Sequence, residues 1–194
     1  MPKLIDHDRR REEIAEATWR VIHVQGISGV SIRTVAAEAG ISTGSLRHVF
    51  PSKADLLVHA MELVGRRAQG RIEEHLYEPD PRALVLAVVK ELLPLDAERR
   101  AEMEVNVALI AEAPGDERVK EVLDVAHATV RDACRHMVAH LHRAGLTAPD
   151  LDVEEATTLL HGLVDGLAIH MLVNPDPAFE RQALSMIETT IDGL

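Results

Sequence analysis

The chain is poor in the residues that staple small folds. A single cysteine, Cys134, occurs in 194 residues, which excludes an internal disulfide and any zinc site built on several thiolates. Aromatic residues are only 2% of the sequence: Trp19, Phe50, Tyr77 and Phe179. The core must therefore be aliphatic, and an aromatic cage around a ligand is not expected. No run reaches the roughly 18 uncharged apolar residues of a membrane span. The charge-dense segment from Met1 to Glu13 has no apolar signal core. Together these features predict a cytoplasmic protein with no membrane partner. The P-loop, the dinucleotide fingerprint, the nucleophile elbow and HExxH are all missing, so neither a cofactor nor enzymatic chemistry is expected.

Positive charge is scarce overall and unevenly spread. The chain carries 21 Lys+Arg against 32 Asp+Glu, a net charge of −11. Residues 1–53 hold 8 basic and 6 acidic side chains, a net of +2, and the remaining 141 residues carry a net of −13. A mildly basic head on an acidic body is compatible with nucleic-acid binding confined to one end. The acidic body reads as a solvated surface.

Every strong periodic signal is helical, and no segment alternates in the manner of a strand. The pattern predicts an all-α chain of about nine helices, at 8–24, 32–39, 43–49, 53–76, 82–93, 97–113, 117–144, 152–173 and 178–192. Gly26, Gly40 and Pro-containing breaks punctuate them. Ile14, Ala17, Val21 and Ile22 form the inner face of the first helix. Ser31 and Ser42 stand as N-caps of the two short helices that follow. Those two, joined by Gly40-Ile41-Ser42, make a helix-turn-helix. Val35, Ala36 and Ala39 keep the first helix slim, Gly40 takes the positive φ of the turn, and Leu46 and Phe50 point inward. Thr43, Gly44, Ser45, Arg47 and His48 are left on an outer face small enough at its start to enter a major groove.

The run Gly29-Val-Ser-Ile-Arg-Thr-Val-Ala-Ala-Glu-Ala-Gly-Ile-Ser-Thr-Gly-Ser-Leu-Arg-His-Val-Phe-Pro-Ser-Lys-Ala-Asp-Leu-Leu57 resembles the N-terminal domain of TetR-type transcriptional repressors. The body resembles the BetI-like subgroup through His161-Gly-Leu-Val-Asp-Gly-Leu-Ala168 and Leu172-Val-Asn-Pro-Asp176. Many members carry aromatic residues near the end of the recognition helix, where this chain has Arg47 and Val49. The resemblance implies a DNA-binding domain at 1–52 and a helical effector-binding and dimerisation domain at 53–194. It implies a homodimer on a pseudo-palindromic double-stranded operator, released by a small-molecule effector. Arg33, Thr43, Gly44, Ser45, Arg47, His48 and Lys53 would meet the DNA. Arg47 can pair with guanine O6/N7, and Lys53 adds its charge to a helix N-terminus.

In the body, Leu123, His127, Val130, Cys134, Met137 and Leu141 form an inward stripe, with Met103, Asn106, Val107 and Ile110 on the preceding helix. His161 and Asp165 are i,i+4 neighbours in an apolar segment. Buried polar groups need partners. Two readings meet that need: core side chains satisfied by their neighbours, or an effector pocket for an apolar or amphipathic molecule. The resemblance favours a pocket drawn from Met103, Asn106, Val107, Ile110, His127, Val130, Cys134, Met137, His161 and Asp165. His136, His140 and His142 include one i,i+4 pair, His136 and His140, with zinc-like spacing but no third ligand for it, so no metal is expected. Cys134, on an apolar stripe, reads as an inert thiol. A dimer surface is expected on the last two helices, through Leu160, Leu163, Gly166, Leu167, Leu184, Ile187 and Ile191. Beside this reading stand a DNA-binding architectural protein without an effector and an all-helical enzyme using His161 and Asp165.

Overall fold

The computed structural model describes the backbone of residues 2–194 and the side chains from Arg9 onward. Lys3, Asp6 and Asp8 of the charge count lie outside these side chains. Nine α-helices, two short 3-10 turns and no strand occur among the described residues. The helices are α1 (Pro2–Gln25), α2 (Ile32–Glu38), α3 (Thr43–Val49), α4 (Lys53–His75), α5 (Pro81–Glu91), α6 (Ala97–Glu112), α7 (Glu117–Arg143), α8 (Val153–Val173) and α9 (Pro177–Asp192).

Local chemistry sets the helix ends. Ser31 Oγ accepts from the Thr34 N–H while Thr34 Oγ1 accepts from the Ser31 N–H, a reciprocal cap that satisfies two orphan donors of α2. Ser52 and Asp55 do the same for α4. Asp80, Asp152 and Asp176 cap α5, α8 and α9. The structure starts α5 and α9 on Pro81 and Pro177, a residue earlier than periodicity placed them. A proline's fixed φ and missing N–H cost nothing in a first turn.

The chain forms two compact units, residues 1–67 with 104–123 and residues 68–103 with 124–194. This division departs from the boundary expected at 52–53. The first half of α4, the second half of α6 and the start of α7 all pack with the helix-turn-helix. Leu56, Leu57, Val105, Leu109 and Val119 are buried there with Ile14, Val21, Val35, Leu46 and Phe50. Polar ties reinforce the packing. Glu104 accepts from the Ile27 N–H at 3.2 Å, and Arg118 pairs with Asp55 at 2.8 Å. Burial alone would raise the Asp55 carboxyl, but the Ser52 hydrogen bonds and Arg118 outweigh it and hold it below its usual range.

The second unit is built on Val85, Val89 and Leu93 of α5 and its C-terminal turn, Cys134, Val138 and Leu141 of α7, Leu160, Val164 and Ala168 of α8, and Ala183, Ile187 and Ile191 of α9. As the composition dictates, it is aliphatic. Two charged features are not legible from periodicity. Arg71 donates to both carboxylate oxygens of Glu102 (2.9 and 2.6 Å) and to Glu91 (2.8 Å), and Glu91 also meets His75 and Arg99. Arg100 donates to the carbonyls of Met171 and Leu172, covering the negative end of α8. By length and mean hydropathy α8 could cross a membrane, although Asp165 interrupts its apolar run. Eight of its side chains are buried in the protein core, which accounts for its apolar character.

Candidate nucleic-acid interface and a polar cluster in the helical body

In the first unit, α2 ends in a Schellman-type turn. The Ile41 N–H reaches back to the Ala36 carbonyl at 2.9 Å, and Gly40 takes φ +66°. Val35 and Ala36 are fully buried, so α3 crosses α2 closely. Ser42 Oγ accepts from the Ser45 N–H and fixes the start of α3. Leu46 and Phe50 anchor the inner face, and the His59 ring sits edge-on to Phe50 at 4.5 Å. Thr43, Gly44, Ser45, Arg47 and His48 are all exposed, as is Arg33 on α2, while Lys53 is half-buried at the first position of α4. The residues expected to meet DNA thus share one unit, with the recognition set on one outer face of a helix capped and packed on its inner side. Arg9, Arg10 and Arg11 lie within α1.

The ten residues expected to line an effector pocket divide between the units. Asn106, Val107 and Ile110 belong to the first, and Ile110 is exposed. Of the rest, Cys134 and Met137 are buried in the core of the second unit, and Met103 and Val130 pack half-buried against it. Burial, with a smaller contribution from the Asp165 carboxylate, pushes the Cys134 thiol up to about 12, which fits the inert reading. The inward stripe on α7 does not extend to His127, which is exposed along with Asp124, Val125, Ala128 and Thr129. His127 instead meets His161, with ring centroids 4.6 Å apart. His161 is 6% exposed, and its Nε2 lies 3.4 Å from Asp165 Oδ2 without a hydrogen-bond partner. His127, His161 and Asp165 therefore form one cluster, with a ligand atom of each within 4.8 Å of the others.

Most of the residues expected at a dimer surface lie within the core of their own unit. Leu160, Leu167, Ile187 and Ile191 are consumed by the core of their own unit; Leu163 and Leu184 are half-buried, and only Gly166 is exposed. The apolar side chains left outside are Leu159, Ile169 and Val173 of α8 and Met186 of α9. With Gly162 and Gly166 they recur at 159, 162, 166, 169 and 173, one stripe of α8. A Cβ built at Gly162 or Gly166 meets no atom within 4 Å. The two glycines therefore serve no packing need within the chain.

Residues 14–60 match the model of bacterial regulatory proteins of the tetR family, and residues 81–194 match the model of the BetI-type transcriptional repressor C-terminal region. The HTH-type transcriptional regulator PksA of Bacillus subtilis is 39% identical over 90% of this chain and 84% of its own length. The solved structure of a Rhodococcus transcriptional regulator superposes with a TM-score of 0.76 at 28% identity, covering 95% of this chain and 98% of its own. The multidrug binding protein EbrR, solved in complex with imidazole, covers 94% of this chain and 89% of its own at 25% identity and a TM-score of 0.66. The exposed, capped α3 of the helix-turn-helix and the matched helical body together place the chain in the TetR family of transcriptional regulators, with a C-terminal region of the BetI type.

Proposed function

We propose that two copies of this chain associate through the outer stripe of α8 with Met186 of α9, and that the dimer represses transcription from a pseudo-palindromic operator. The observation that carries the DNA-reading assignment is the exposed face Thr43, Gly44, Ser45, Arg47 and His48 on a helix whose inner face is locked by Leu46 and Phe50. Small residues at the start of α3 let the backbone approach the groove, Arg47 supplies a bidentate donor, and Lys53 and Arg33 supply phosphate contacts. A two-fold dimer presents two such helices to matching half-sites. The dimer surface is supported by Gly162 and Gly166. A glycine inside a helix costs about 0.5–1 kcal/mol relative to alanine, and close approach of a second α8 is what offsets that cost. A small effector bound in the helical body then shifts the population toward a form whose recognition helices no longer match both half-sites. EbrR, a multidrug binding protein of similar architecture, supports that part of the reading.

The test is a titration of the purified chain against DNA from upstream of its own coding sequence, with sedimentation run in parallel. Salt-dependent, sequence-selective binding by a dimer, weakened and less selective in Arg47→Ala, is the expected result. A stable monomer at micromolar concentration, or equal affinity for the upstream fragment and unrelated DNA, refutes the reading.

A further inference from the structure

We propose that His127, His161 and Asp165 form a binding site for one divalent transition-metal ion of the zinc type. His161 and Asp165 are one turn apart on α8, so both side chains rise from the same face of that helix. His127 reaches them from α7, and the three ligand atoms already lie within 4.8 Å of one another. Neighbouring ligands around tetrahedral zinc stand about 3.3 Å apart, as metal–nitrogen and metal–oxygen bonds of about 2.0–2.1 Å require. The His161–Asp165 pair, at 3.4 Å, meets that spacing as it stands. The remaining closure falls to His127, whose side chain is exposed.

His161 supplies the second, independent observation. It is 6% exposed, yet its Nε2 has no hydrogen-bond partner. A buried polar atom left unsatisfied is destabilising, and a metal bond at Nε2 satisfies it. Two neutral imidazoles and one carboxylate suit zinc, cobalt, nickel or copper better than magnesium or calcium, which favour all-oxygen sets. Three protein ligands leave one coordination position open, as in zinc sites that bind an exogenous molecule. The inference rests on neither operator binding nor dimerisation, because it concerns the free chain alone.

The experiment uses the full-length, untagged, chelator-treated protein. Cobalt(II) is titrated by visible absorption, and zinc is then titrated by calorimetry. One ion per chain is expected, with cobalt bands of low-symmetry, four-coordinate intensity that zinc displaces. Loss of even a supporting partner of a metal ligand costs about 10–100-fold in affinity. His161→Gln, His127→Gln and Asp165→Asn should therefore each weaken binding by at least about tenfold, while the double variant His136→Gln/His140→Gln binds as the wild type does. Asp165 and His127 are exposed, so their variants keep the test decisive if His161→Gln fails to fold. The absence of stoichiometric binding, binding unchanged in Asp165→Asn and His127→Gln, or binding abolished by the His136/His140 pair would each overturn the proposal.

Discussion

Replacing Gly166 gives opposite signs in two assays, which makes it the most informative perturbation of the α8 surface. Within one chain a Cβ at this position meets nothing within 4 Å. Gly166→Ala should therefore strengthen the α8 helix by about 0.5–1 kcal/mol, through lower backbone entropy in the unfolded chain. Across a close two-fold helix contact, added atoms have no room. Gly166→Leu inserts four carbons, and overpacking of this kind costs about 1–3 kcal/mol. At about 1.4 kcal/mol per tenfold, that raises the dimer dissociation constant by roughly 5–150-fold. Sedimentation equilibrium over a concentration series reads the constant directly, and circular dichroism confirms that the helices persist. The control is Leu160→Ala. Leu160 lies in the core of the unit, so its truncation should lower thermal stability by about 2–5 kcal/mol rather than act at a partner surface. If Gly166→Leu leaves the dissociation constant of a stable wild-type dimer unchanged, the outer stripe is not the contact.

Further predictions concern the other sites. Arg47→Ala should cost about 1–3 kcal/mol of operator affinity and relax discrimination at one base pair per half-site, as read by gel-shift titration against single-base variants. Lys53→Ala should weaken all sequences about equally and lower the salt slope by roughly one charge per subunit. Arg71→Met should cost about 1–3 kcal/mol, because it removes the donor shared by two carboxylates whose side chains are only 8% (Glu102) and 11% (Glu91) exposed, while adding Glu102→Leu should recover part of the loss in denaturant titrations. Burial alone would raise the Glu91 carboxyl, but Arg71, His75 and Arg99 outweigh it and hold it below the ordinary value of 4.5. A depressed carboxyl contributes stability above that value and loses it as the pH falls. Wild-type stability should therefore decline on acidification below about pH 4.5, and Arg71→Met should decline less, since without Arg71 the Glu91 carboxyl is held down less strongly. Ser31→Ala should cost about 1 kcal/mol by removing one arm of the α2 cap, measurable as a fall in the thermal midpoint.

Much of the first unit was legible because its signals are local. Ser31, Gly40 and Ser42 act on backbone groups within a few residues, and Leu46 and Phe50 follow helical spacing, so reading along the chain recovers them. The ties that bring α6 and α7 to the helix-turn-helix were not legible. Glu104 to Ile27 and Arg118 to Asp55 join residues more than 60 positions apart, and charged side chains carry no periodic mark of their partner. The buried face of α8 was not legible for a different reason. Its apolar residues run nearly all round the helix, so spacing alone could not say which stripe the core would take. Leu160 and Leu167 went inward, and Leu159, Ile169 and Val173 stayed out. The paired glycines, Gly162 and Gly166, fall on the stripe that stayed out. His161 and Asp165 were legible as a one-turn pair, but their meeting with His127 depends on how α7 packs against α8.

The measurement closest to the central claim is selection of binding sites from random double-stranded DNA by the purified wild-type protein, read beside Arg47→Ala. A dimer reading DNA through two copies of α3 should enrich inverted half-sites whose centres lie about one helical turn, 10–10.5 base pairs, or a multiple of it apart. Arg47→Ala should keep that spacing and lose information at one symmetric position in each half-site. Enrichment of a single unpaired half-site, no enrichment at all, or a motif identical in the wild type and Arg47→Ala would contradict the account.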